Sequence, residues 1–146
     1  TKFSANVSPG LSEFMSGSLD SENFIIKTKV DNLDLVTRGA LPHNPSELLM
    51  GKKLDDFIDK VSKEYDLIVI DCPPILAVTD SSLIASRAGV VMMVAKYGIS
   101  TVKEVLTAVK RFDLHGLAVN GIVFNMVKPT MNDYYNDLYS YDYKSK

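Results

Sequence analysis

The chain has 146 residues, of which 46% are hydrophobic and 23% charged, enough length and apolar content to bury a globular core. Its formal charge of −2 argues against a nucleic-acid surface built on phosphate contacts, and no apolar run approaches the roughly 18 residues of a membrane span. A single cysteine, Cys72, excludes an internal disulfide and fits a cytoplasmic protein.

Residues 8–17 read as a short helix that Ser8 or Ser12 caps and Gly17 closes, with Leu11, Phe14 and Met15 on one face. The runs 24–30 and 33–36 read as two strands, joined into a hairpin through Asp31-Asn32. His43 and His115 sit in loop-like surroundings and read as polar surface residues, and clustered metal ligands are absent. Asn44 has the character of an N-cap, Pro45 takes the first helical position, and Glu47 stands where it can reach back. Gly51 interrupts that helix at a cost of roughly 1 kcal/mol relative to Ala. The periodicity resumes at Leu54, Phe57, Ile58 and Val61, a face expected to pack on a sheet.

The most informative stretch follows. Leu67, Ile68, Val69 and Ile70 read as a short central strand buried on both faces, ended by Asp71 and stopped by Pro73-Pro74. Helix 45–61 between the hairpin and this strand makes a β-loop-α-β unit, right-handed if its strands pair in parallel. In open α/β sheets ligands bind outside the carboxyl ends of the strands. An apolar strand ending in Asp is how P-loop proteins hold Mg²⁺, directly or through water. A turn or cap residue is the plain structural alternative for Asp71; Pro73-Pro74 and the second acid, Asp80, favour the metal reading.

Thr79-Asp80 then caps a helix over residues 81–87, closed by Gly89, and residues 90–94 form another buried strand. Thr101 and Glu104 have capping-box spacing before a helix whose buried face is Val102, Val105, Leu106 and Val109. The helix ends near Phe112, and Gly116 supplies the turn after it. A last strand, 121–125, ends in Asn125. This alternation indicates an α/β fold, a parallel sheet with helices on both faces. Residues 1–131 form the folded portion. The tail 132–146 carries Tyr134, Tyr135, Tyr139, Tyr141 and Tyr143 with only Leu138 as an aliphatic anchor, too little to fold by itself.

No G-x-x-x-x-G-K-[ST] loop occurs. Gly51-Lys52-Lys53 has Ser46 rather than Gly at the required offset and lies inside the expected helix. Either the protein is not a nucleotide enzyme, or the chain begins after the phosphate-binding half.

The motif Arg38-Gly39-x-x-Pro42-x-Asn44-Pro45-Ser46-Glu47-Leu48-Leu49 precedes Tyr65-Asp66 and the strand ending in Asp71-Cys72-Pro73-Pro74, with Thr79-Asp80 beyond. Together with Gly10-Leu11-Ser12-Glu13, Gly121-Ile122-Val123-Phe124-Asn125 and the tyrosine-rich end, they resemble the bacterial tyrosine kinases over nearly the whole chain. Those are the cytoplasmic domains of polysaccharide co-polymerases that control capsule and exopolysaccharide export. The resemblance implies a P-loop-type, deviant-Walker ATPase fold of which this chain is a C-terminal portion. It makes Asp71 the Walker B aspartate that helps hold Mg²⁺ and Asn125 the strand-end residue that contacts adenine of ATP. Cys72 stands where the family has threonine. Walker A, the aspartates of Walker A′ (among them the expected general base) and an oligomerisation motif would lie before Thr1, so the chain alone is expected to be inactive.

The activity implied is phosphoryl transfer from ATP to tyrosine, with the tail tyrosines of a neighbouring subunit as acceptors. The implied partners are other kinase subunits, a cognate tyrosine phosphatase and a transmembrane co-polymerase segment, with no nucleic acid, on the cytoplasmic side of the bacterial inner membrane. Two other readings stand beside it: a partition or division-site ATPase of the same superfamily, and a non-enzymatic adaptor that kept the fold without its phosphate loop.

Overall fold

Three phenylalanines from three separate elements gather the first part of the chain. In the computed structural model, which describes residues 8–19 and 23–128, Phe14, Phe24 and Phe57 meet with ring centroids 5.1 to 5.6 Å apart. The tail and its five tyrosines lie outside the described residues. The elements are α1 (Leu11–Ser16), β1 (Ile25–Lys27), β2 (Asp34–Val36), α2 (Pro45–Leu49), α3 (Lys52–Val61), α4 (Asp80–Ala85), β3 (Met92–Lys96), α5 (Val102–Leu114) and β4 (Gly121–Asn125). They fall into two compact units that divide between Gly89 and Val90.

In the first unit, Phe24, Phe57 and Val61 form the buried centre, with Leu11, Phe14, Val36 and Tyr65 packed against it. The hairpin is antiparallel, with Ile25 opposite Val36 and Lys27 opposite Asp34. It is shorter than expected because residues 28–30 belong to the turn. The Thr28 amide donates to Leu33 O and the Leu33 amide to Val30 O, while Asn32 takes the left-handed conformation at φ 60°. Lys27 and the Tyr65 hydroxyl both donate to the Asp34 carboxylate, which they hold below the usual carboxylate range.

Gly51 does not sit inside a helix; it separates two, as the N-cap of α3. Leu54, Phe57 and Val61 are buried along α3, as their spacing requires. Asn44 does precede Pro45, but its side chain bonds the Glu47 carboxylate at 3.1 Å in place of the helix backbone.

The start of α1 shows how the hairpin and the helices are joined. Its N-cap is Gly10, not Ser8 or Ser12. The Glu13 carboxylate accepts hydrogen bonds from Ser8 Oγ (2.6 Å), Gly10 N (2.9 Å), Ser12 Oγ (3.0 Å) and Ala40 N (3.1 Å). Backbone bonds run alongside, from Leu11 N to Thr37 O and from Ser12 N to Arg38 O. The approach needs two glycines. A Cβ on Gly10 would collide with the backbone of Gly39 and Thr37, and one on Gly39, at φ 86°, with the side chains of Ser12 and Glu13.

The second unit pairs β3 and β4 in parallel, Met92 opposite Gly121 and Lys96 opposite Asn125, with α5 between them in sequence. Strand β3 starts two residues later than expected, because the Val91 amide bonds the Asn120 side chain ahead of the ladder. The capping box holds as read: Glu104 N donates to Thr101 Oγ1 at 3.2 Å, and Thr101 N donates to Glu104 Oε2 at 2.8 Å. The buried face of α5 is different. Ala108 and Phe112 are buried and Val105 and Val109 partly so, while Val102 and Leu106 are exposed. Leu106 is turned about 100° from Val105 on the helix, so the face is set by angle and includes a small alanine that a reading by side-chain size passes over. The strands are also more open than their apolar runs predict, since Met92, Val94, Val123 and Phe124 are exposed and only Ala95 is buried.

Two expectations follow. Phe57→Ala removes one ring from the trio and is expected to cost about 3–5 kcal/mol, measured by urea unfolding followed by circular dichroism. Glu13 has its pKa lowered from 4.5 to about 2, first by the Ser8 hydroxyl and then by the Ala40 and Gly10 amides. Its depressed pKa means the hold on residues 37–40 is complete above the ordinary value and lost as pH falls through about 2. The amide shifts of Gly10 and Ala40 should titrate near the lower value; a midpoint near 4.5 would count against the contact.

Candidate functional site

Asp71 is placed by what comes before and after it. The run 67–70 does not form the central buried strand its composition predicts. Among the described residues it joins no ladder, and its side chains are open, with Leu67 78%, Ile68 37%, Val69 81% and Ile70 42% exposed. The exposure still alternates with the period of a strand, Ile68 and Ile70 being the better covered pair. Strand propensity supplies that alternation, whereas burial on both faces requires covering elements, and a ladder requires a hydrogen-bonding neighbour. The β-loop-α-β unit is accordingly not closed by a strand pair here.

The Asp71 carboxylate is exposed at the end of that run. Cys72, beside it, is partly buried; its thiol is pushed up first by that burial and then by the negative charge of Asp71. Beyond them the backbone is fixed by α4. The Ser81 hydroxyl donates to the Pro73 carbonyl, and the Ala77 and Val78 amides close a turn onto Pro74 O at 2.9 and 3.3 Å. Asp80, read from the sequence as a second acid supporting a metal site, instead accepts a 2.7 Å hydrogen bond from Ser46 Oγ of α2. At the other end of α4, Arg87 pairs with Asp55 of α3 and also donates to Leu83 O at 2.7 Å. Among the described residues Asp71 is therefore a free-standing carboxylate on a braced loop, and Asp80 is part of the brace.

Asn125 ends β4, as expected, and belongs to the second unit. Its carbonyl accepts from the Tyr97 amide at 2.9 Å, and its side-chain Oδ1 from the Met126 amide at 2.8 Å. Met126 adopts φ 58° to make that turn. The acceptor half of the Asn125 amide is thus engaged locally; among the described residues its Nδ2 has no partner. The Tyr97 ring stands edge-on to Phe124, with centroids 5.8 Å apart.

His43 and His115 are both exposed, as read, and the His115 ring bonds Arg111 O at 2.7 Å. A recess of about 490 Å³ opens between α1 and the loop into α2, lined among others by Glu13, Leu41, Pro42, His43 and Glu47; Asp71 is not part of it. Among the described residues, no group of three or more His, Cys, Asp or Glu gathers as a metal cage, and no helix is long and apolar enough to cross a membrane. A single exposed carboxylate does suit Mg²⁺, which keeps several waters and is held by one or two carboxylates plus substrate phosphates. An unengaged amide N–H₂ at Asn125 likewise suits a ring-nitrogen acceptor such as adenine offers. The sequence reading missed Ser46 and Ser81: Ser46 stood in a motif read only as a helix start, and Ser81 in a helix read only from its caps.

The AAA domain family matches residues 3–120. The tyrosine-protein kinase wzc of Salmonella typhimurium is 41% identical over 137 residues, 93% of this chain and 19% of that protein. Among solved structures, the BceF tyrosine kinase domain superposes with a TM-score of 0.73 at 39% identity, over 80% of this chain and 48% of that one. The kinase domain of the Escherichia coli tyrosine kinase ETK does so with a TM-score of 0.78 at 31% identity, over 88% of this chain and 52% of that one. The chain thus spans about a fifth of the curated relative and about half of the solved kinase domains. With a family match running through most of its length, the chain belongs to the AAA domain family, has its α/β fold, and within that family is akin to the bacterial tyrosine kinases.

Proposed function

We propose that these residues form part of an ATP-dependent protein-tyrosine kinase acting in capsule and exopolysaccharide production. In this reading Asp71 holds Mg²⁺ and Asn125 contacts adenine. The observation that carries it is the exposed Asp71 carboxylate on a braced loop, in a chain whose relatives are named tyrosine kinases. The solved kinase domains that the chain resembles are about twice its length.

The chemistry is transfer of the γ-phosphoryl group. The tyrosine oxygen bonds to phosphorus, the bond to the oxygen of departing ADP breaks, and the phenolic proton leaves to a base. A phenol with a pKa of about 10 needs that base close by, and it is assigned to no described residue. Bound Mg²⁺ supplies neutralisation of the charge on the transferring phosphates. Asp71 contributes the anionic oxygen that orients the ion, and Asn125 Nδ2 contributes a donor that orients the base of the nucleotide. Catalysis of this kind is mostly positioning, which is why a stiff support for Asp71 matters.

The acceptors in this proposal are Tyr134, Tyr135, Tyr139, Tyr141 and Tyr143 of a neighbouring subunit. Residues 139, 141 and 143 share one side of an extended chain, about 6.5 to 7 Å apart, so a slide of two residues presents the next hydroxyl. Each phosphate adds about −1.5 to −2 charges, and repulsion would favour release of docked subunits. A tyrosine phosphatase would reset the cycle, and the parent protein's co-polymerase segment would hold the kinase at the inner membrane.

In the complete kinase, Asp71→Asn is expected to lower autophosphorylation roughly a hundredfold or more, the scale of losing one preorganised electrostatic contact, with little change in melting temperature. Loss of several degrees of stability with full activity at saturating Mg²⁺ would make Asp71 a turn residue instead. Phosphopeptide mapping, with sizing before and after phosphatase treatment, tests the tail. Phosphate confined to sites outside residues 134–143, or an assembly indifferent to the phosphatase, would overturn that part.

A further inference from the structure

We propose that Ser46 and Asp80 are positioning residues for Asp71, acting through α4 and Ser81 on the loop that carries the metal-binding carboxylate; this rests on the role given to Asp71 above. The geometry is a continuous series of side-chain contacts. Ser46 Oγ on α2 donates to Asp80 Oδ1 at 2.7 Å, across 34 residues of sequence. Asp80 is the first residue of α4. Its neighbour Ser81 is buried, at 5% exposure, and donates to the carbonyl of Pro73, two residues from Asp71.

Helix α4 is short and poorly secured by its own ends. It has six residues, and Thr79, its N-cap, makes no side-chain cap hydrogen bond. Such a helix takes its position from outside contacts. At the start this is the Ser46–Asp80 bond; at the end it is Arg87, paired with Asp55 of α3. Buried Ser82 adds a local tie, donating to Thr79 O at 2.7 Å, and buried Ile75 anchors the middle of the loop. Ser81 thereby ties the start of α4 to the loop beside Asp71, so a shift of that start is passed toward the carboxylate two residues away.

The bond carrying this register has a charged acceptor, which makes it stronger than a neutral pair. Removing Ser46 leaves the Asp80 carboxylate without its donor and frees the start of α4. The freed loop holds the Asp71 carboxylate less firmly, which weakens its grip on the ion and is overcome by raising the Mg²⁺ concentration. A purely structural bond would instead show itself in stability alone.

The test uses the complete kinase and reads the Mg²⁺ dependence of autophosphorylation, with melting temperature in parallel, for Ser46→Ala, Ser46→Thr, Asp80→Ala and the Ser46→Ala/Asp80→Ala double variant. Ser46→Ala and Asp80→Ala should each raise the Mg²⁺ concentration for half-maximal rate by about tenfold, the scale of losing one hydrogen bond to a charged group. The rate at saturating Mg²⁺ should stay within about twofold of the parent. The double variant should be no worse than the worse single one, because the two residues act as one contact, and Ser46→Thr, which keeps the hydroxyl, should behave as the parent does. An unchanged Mg²⁺ requirement with a lowered melting temperature, or additive effects of the two changes, overturns the proposal. If Asp71→Asn itself leaves the Mg²⁺ dependence unmoved, the fault lies with the role of Asp71. The relay is then read from hydrogen–deuterium exchange of residues 72–79, which must rise in Ser46→Ala; unchanged exchange overturns it.

Discussion

The Glu13 carboxylate joins two parts of the chain that the rest of the first unit hangs from. Held ionised by hydroxyls and amides from both its own helix and residue 40, it fixes α1 against the stretch 37–40 at backbone distance, an approach that only Gly10 and Gly39 permit. On one side this sets Phe14 over Phe24 and Phe57, and so places the hairpin and α3. On the other it delivers the chain into α2, whose Ser46 reaches Asp80. A carboxylate with several donors is among the stronger polar anchors a small unit can build. It is also directional, where the aromatic cluster is not. The cluster supplies buried apolar contact at the centre of the unit, and the carboxylate decides how the elements around it are turned.

Local signals in the sequence translated well into local structure. Gly17 closes α1 in the left-handed conformation at φ 82°; Pro45 starts α2; Thr101 and Glu104 close their capping box; Asp31-Asn32 makes the hairpin turn, with Asn32 at positive φ. Each depends on residues within a few positions of one another, so the sequence contains the whole cause. The N-cap of α1 was not legible for the opposite reason. Ser8 and Ser12 are both sound caps in isolation, yet both hydroxyls are drawn to the Glu13 carboxylate, and one partner of that carboxylate lies 27 residues on. Burial was the other weak point. The runs 67–70, 90–94 and 121–125 are apolar enough to sit inside a sheet, but an apolar run states what a strand can tolerate being covered by, and covering elements are a tertiary fact.

The candidate site divides the same way. Asp71 and Asn125 stand out because a polar residue at the end of an apolar run is a local pattern, and Asn125 does end a parallel strand. The supports of Asp71 were not legible. Ser46 belongs to a helix start that is complete without any further role, and nothing in residues 44–49 points to position 80. Asp80 was noticed, but for its charge. In the structure that charge serves as an acceptor within the unit, which leaves Asp71 as the exposed acid of the pair.

Cys72 stands beside the carboxylate of the proposed site. A thiolate next to Asp71 would add a soft, high-affinity ligand and draw zinc-like metals. Partial burial and the adjacent negative charge both push the thiol up, and its Sγ lies 3.7 Å from the Ile70 carbonyl as a weak donor. The Asp71 carboxylate is by contrast a hard oxygen donor. That oxygen is too few for a protein-built cage of the kind Ca²⁺ prefers and well matched to an ion that keeps its waters until phosphate oxygens replace them.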